Sequence, residues 1–147
     1  MKGVKMIKTI YPLSKNILSQ GQSLSLFFAR IAVAYGFYEP AMMKWDDMTQ
    51  TANNFAGYGI PFPTLNAYLA GTAELLGVIL LALGLFTRLI SIPLIIVMIV
   101  AIVTVHIPME HDILGGIPLY YMLFLALFAS LGAGKLSLDY LLFGEEQ

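Results

Sequence analysis

Four long apolar runs separated by shorter polar segments organise this chain of 147 residues. They fall at about Leu24–Met43, Thr64–Gly84, Leu89–Val105 and Ile117–Leu131. A helix needs about 20 such residues to cross a hydrocarbon core of about 30 Å, so each run predicts a spanning helix. The pattern therefore predicts an all-α fold. It is an integral membrane four-helix bundle with short amphipathic surface helices at the N-terminus, in the first outer loop and at the C-terminus. Residues 1–147 read as one domain, with no linker and no convincing internal repeat.

The shorter elements follow from local pattern. Residues 1–22 carry Met6, Ile7, Ile10, Leu13, Ile17 and Leu18 among lysines, a basic amphipathic stretch suited to the inner leaflet. Pro12 is expected to interrupt any helix there. No apolar segment with a small-residue cleavage site precedes the first run, so this is not a signal peptide. Trp45, Met48, Ala52 and Phe55 recur at helical spacing and predict a short interfacial helix. It should end at Gly57-Tyr58-Gly59, before the turn Pro61-Phe62-Pro63. Residues 136–147 (LSLDYLLF and beyond) predict another short surface helix, with Ser137 as its N-cap.

Composition agrees with the pattern: 59% of residues are apolar and 12% charged, against about 25% charged in a typical soluble domain. A net charge of -1 leaves no basic stripe for nucleic acid. With no cysteine there is no disulfide, thiol nucleophile or iron–sulfur cluster. Lys2, Lys5, Lys8 and Lys15 precede the first run, Arg88 sits between the second and third, and Lys135 follows the fourth. The opposite loops hold Asp46, Asp47, Glu110 and Asp112 without a lysine or arginine. This asymmetry predicts both termini on the cytoplasmic side.

Charges inside the apolar runs are the first candidates for function, because a charge at the centre of a spanning helix costs at least about 2.5 kcal/mol. Arg30 and Glu39 lie in the first run, Lys44 just after it and Glu74 in the second. On an ideal helix Lys44 is about 40° from Arg30, so they share a face, while Glu39 is about 180° away. Pro40 can alter this relation by kinking the helix. An Arg30–Glu74 pair is sterically reasonable. It is either a structural ion pair or part of a polar site for a proton, a quinone head group or a small solute. Tyr35 and Tyr38 flank the charged part of the run and can hydrogen-bond such a group. The pairs Ala32/Gly36, Ala67/Gly71 and Ala73/Gly77 predict close helix packing.

The loop after the third run reads His106-Ile107-Pro108-Met109-Glu110-His111-Asp112. His106, Met109 and His111 are donors suited to copper or zinc, although their spacing matches no familiar metal motif. The competing readings are a polar loop in which His106 caps the third helix, and a His106 that faces the bundle near Glu39 as a proton carrier. No phosphate-binding loop, HExxH, GxSxG or Ser/His/Asp set is present.

Residues 24–142 resemble the DoxX family of four-helix membrane proteins. The matching features are Arg30, Gly59-Ile60-Pro61, Glu74-Leu75-Leu76-Gly77, Gly84-Leu85-Phe86-Thr87-Arg88 and Gly132 to Asp139 (GAGKLSLD). An HvfX-type branch, associated with copper-binding modified peptides, is similar through Tyr35–Trp45, Pro61–Tyr68, Thr87–Ile95, Val100–His106 and Ile117–Leu123. The resemblance implies a bacterial inner-membrane protein. It also implies an accessory role in maturation or export of such a peptide, with the peptide's maturation proteins as partners. The alternative it implies is a quinone-interacting subunit of an oxidoreductase complex. In that reading Arg30, Glu74, Glu39, His106, Tyr35 and Lys44 line the polar site, and an electron-transferring partner is required. A homo-oligomer is compatible with either.

Overall fold

The computed structural model describes residues 2–108 and 116–144, with the backbone alone for 2–20. Six α-helices and one π-helical stretch account for most of these residues, and no strand occurs among them. The helices are α1 (Lys2–Asp46), α2 (Met48–Gly57), α3 (Pro63–Leu83), α4 (Thr87–Ala101), α5 (Ile117–Leu131) and α6 (Leu138–Phe143). The π stretch, Ile102–His106, extends α4.

The expected break at Pro12 does not occur. α1 is one helix of 45 residues that passes through both Pro12 and Pro40. A proline inside a helix removes one i→i−4 bond, and here the turns on either side of each proline continue the helix. Asp47 ends this long element and starts the next, its carboxylate accepting from Gln50 N at 2.8 Å.

α3 and α4 both begin after a phenylalanine in the left-handed region, Phe62 (φ 47°) and Phe86 (φ 49°). Pro63 follows at the first helical position, where its missing N–H is not needed. α3 ends at Gly84 (φ 66°), whose N–H reaches back to the last-turn carbonyls. In the π stretch, Ile107 N bonds Ile102 O at 3.0 Å. Thr104 also turns its hydroxyl onto Val100 O at 2.8 Å, competing with the backbone ladder.

α1 packs along α3, α3 against α4, and α4 against α5. α1 and α5 meet more narrowly, through the Phe37 and Tyr121 rings at 5.3 Å between centroids. Gly36 lies directly beneath the Tyr121 hydroxyl, where a methyl group would overlap it. The core is Leu26, Val33, Ala34, Phe37, Leu81, Ile90, Leu94, Met98, Leu125 and Phe128. α2 lies along the first half of α3, with Met48 Cε against Gly71.

Among the described residues two helices are long and apolar enough to cross a membrane: Pro63–Leu83 and the continuous Thr87–His106. Only 28% and 22% of their apolar windows are buried. A core helix of a water-soluble domain hides most of such a surface, whereas these present Leu69, Leu76, Ile79, Ile92, Ile96 and Ile99 outward.

Candidate functional site

Arg30 and Lys44 sit on one face of α1, three and a half to four turns apart, and both are turned toward α3. They do not converge on one carboxylate. Lys44 Nζ binds Glu74, at 2.8 Å from Oε2 and 3.1 Å from Oε1, and also reaches Pro40 O at 3.4 Å. Its three protons thus have three acceptors. The Glu74 side chain is 3% exposed and that of Lys44 20%. Around the pair, Trp45 and Tyr68 meet edge to face at 6.1 Å. Thr51 Oγ donates to Asp47 O at 3.0 Å. A methyl on Gly71 would lie 3.3 Å from Trp45 Nε1, so the small residue sets how closely α1 and α3 approach.

Arg30 binds elsewhere. Its guanidinium is fully buried and donates from Nη1 to Leu81 O at 3.0 Å and from Nη2 to Leu136 O at 2.6 Å. Leu81 belongs to the last turn of α3, where its carbonyl accepts only the 3.2 Å bond from Gly84 N along the backbone and carries the negative end of the helix dipole. Arg30 thereby caps α3 from a neighbouring helix and ties the segment before α6 to the same point. Gly84 makes room for it, since a Cβ there would collide with Nη1 and with Ser137 Cβ.

The expected Arg30–Glu74 pair is therefore replaced by Lys44–Glu74, and the reason is register. Arg30 packs beside Gly84 and Lys44 beside Gly71, as antiparallel helices require. Seven residues separate Glu74 from Leu81, about 10.5 Å along the axis. The two cations share a face but face different levels of α3.

Asp139 completes the Arg30 end. Its Oδ1 accepts from Phe86 N at 2.7 Å and its Oδ2 from Thr87 N at 3.0 Å, while its own N–H donates to Gly84 O at 2.9 Å. Ser137 caps α6, accepting from Tyr140 N at 3.2 Å and donating to Gly134 O at 2.5 Å. Two segments that are separate in sequence, Gly84 to Arg88 and Gly132 to Asp139, form one interlocked unit. Asp139 was not a candidate from sequence. The signal that points to it is that Leu85 and Phe86, just before α4, offer no side-chain acceptor.

The remaining candidates are dispersed. Tyr35 is 80% exposed, and Tyr38 and Glu39 are also exposed on the side of α1 away from α3. His106 closes the π stretch with Nδ1 3.3 Å from Ala101 O, a bond back to the end of α4. Met109 and His111 lie outside the described residues, so of the copper- or zinc-binding candidates only His106 is placed. Among the described residues no group of three His, Asp or Glu converges as metal ligands.

An all-α architecture, the apolar exterior of α3 and of α4 with its π stretch, and the inward turn of Arg30, Lys44 and Glu74 fit a helical membrane protein. The DoxX family profile matches residues 25–107, and the chain belongs to that family. Among its relatives is an uncharacterized protein of Haemophilus influenzae, 30% identical over 129 residues. The match spans 83% of this chain and 85% of the relative. No solved structure matches the chain.

Proposed function

We propose that this DoxX-family protein is a four-helix bundle in the bacterial inner membrane, crossed by α1, α3, α4 with its π stretch, and α5. Both termini face the cytoplasm, and the protein serves as a non-catalytic accessory factor in maturation or export of a copper-binding modified peptide. The observation that supports a scaffold role is the use of its interior charges. Arg30 holds backbone carbonyls of α3 and of the segment before α6, and Glu74 holds Lys44. Groups engaged in this way lock helices together.

The choice of peptide rests on four of the segments shared in kind with the HvfX-type branch. Tyr35–Trp45 lies in the second half of α1 and Pro61–Tyr68 leads into α3. Val100–His106 ends α4, and Ile117–Leu123 begins α5. Up-and-down connectivity gathers these at the end of the bundle where Lys44, Trp45 and Tyr68 meet. The basic residues Arg88 and Lys135 lie toward the other end, which supports an outward-facing working surface.

The test is a native mass spectrum of the full chain extracted gently from its own membranes. Retention of the peptide or its maturation proteins is the expected result. A chain that never retains them, and instead carries a quinone lost in Glu74→Gln, overturns the reading.

A further inference from the structure

Glu39 lies on the wrong side of α1 for the bundle. The helix turns Arg30, Val33, Phe37 and Lys44 inward, and it turns Ile31, Tyr35, Tyr38, Glu39 and Met42 outward. Among the described residues Glu39 has no hydrogen bond or ion pair.

Its depth follows from the register of α1 against α3. Arg30 is level with Gly84, and Lys44 with Gly71. Interpolating, Glu39 is level with Leu75 and Leu76, about 19 Å along the axis from the start of α3 and about 11 Å from its end. A carboxylate thus faces outward near the middle of a membrane-length helix, framed by two tyrosines and apolar side chains. In hydrocarbon such a group is expensive and takes a partner.

Among the described residues, the chain's own cations do not supply one. Arg30 and Lys44 are engaged on the opposite face. Arg88 and Lys135 stand beyond the ends of α3 and α5. A second copy, inserted the same way round, would bring another carboxylate to the same depth. We propose that this face of α1 is a docking site for a transmembrane helix of another protein that carries a lysine, arginine or histidine at mid-depth. Glu39 pairs with that cation, and the phenols of Tyr35 and Tyr38 are placed to donate to polar groups beside it. The inference rests on the membrane-spanning reading of the chain but not on the identity of the peptide served.

The experiment reconstitutes the full chain in phosphatidylcholine vesicles with labelled poly-leucine transmembrane peptides, one all-leucine and one with a single central lysine. Association is read by energy transfer. The lysine peptide should bind the native chain roughly five- to tenfold tighter than the all-leucine peptide. Glu39→Gln, which keeps the shape and removes the charge, should abolish that preference. Equal binding of both peptides, or a preference that survives Glu39→Gln, overturns the proposal. So does Glu39-dependent energy transfer between two labelled copies of the chain, which assigns the face to self-association. Single cysteines at positions 39, 76 and 99 of this cysteine-free chain separate the two levels of the argument. Protection of all three from a membrane-impermeant maleimide, with no peptide preference, removes the docking site alone. Rapid labelling of all three removes the membrane-spanning reading with it.

Discussion

Asp139 caps a helix 52 residues away from it in sequence. Its carboxylate receives the backbone N–H groups of Phe86 and Thr87, at 2.7 and 3.0 Å, at the positive end of α4. α4 has no side-chain cap from its own flanking residues. Asp139→Ala should cost about 1–2 kcal/mol, the range for loss of an N-cap. Asp139→Asn should recover part of it, because the amide oxygen still accepts while the charge against the helix dipole is gone. Thermal unfolding in detergent, followed by circular dichroism, ranks the three proteins; equal midpoints for native and Asp139→Ala refute the cap.

Arg30 should resist substitution by lysine. One ammonium cannot reach Leu81 O and Leu136 O along the divergent arms that the guanidinium offers. Arg30→Lys and Arg30→Met should each cost about 2–4 kcal/mol, since carbonyl acceptors are left buried. Proteolysis should then release residues 136–144 earlier than the rest. If Arg30→Lys unfolds with the native protein, the two-carbonyl clamp is not what stabilises this end.

The Lys44–Glu74 pair calls for a double-variant cycle. Glu74→Gln or Lys44→Met alone strands one buried partner and should cost about 1.5–3 kcal/mol. Combining Lys44→Met with Glu74→Gln should cost less than the sum of these two single changes, because no charge remains to be stranded. Additive losses mean that the two side chains do not stabilise each other.

The narrow seam between α1 and α5 depends on Gly36. Gly36→Ala would thrust a methyl group into the Tyr121 hydroxyl, at a cost of about 1–3 kcal/mol for overpacking. Tyr121→Phe should restore part of that loss in the double variant by withdrawing the clashing oxygen. A midpoint unchanged by Gly36→Ala would place the ring elsewhere.

Much of the helical layout was legible in the sequence, because each helix is coded by residues within it. The runs at 64–84 and 117–131 anticipate α3 and α5, and the spacing of Trp45, Met48, Ala52 and Phe55 anticipates α2. Ser137 caps α6 as its position suggests. What stayed hidden depends on how helices align. Helical periodicity reports that Arg30 and Lys44 share a face, but the level of α3 that each meets is set by packing at Gly71 and Gly84. Asp139 was hidden for the same reason, since its helix N-terminus is brought to it by the fold. Pro12 misled in the opposite way: a local rule predicted a break, and α1 continues through it.

The Arg30 clamp also imposes an order on biosynthesis. One of the carbonyls that Arg30 needs belongs to Leu136, made 106 residues later, and the cap of α4 follows at Asp139. Until the ribosome has passed that point, a guanidinium waits inside the bundle short of an acceptor and α4 begins with open N–H groups. A nascent chain stopped before Leu136 therefore lacks both the second carbonyl of the clamp and the cap of α4.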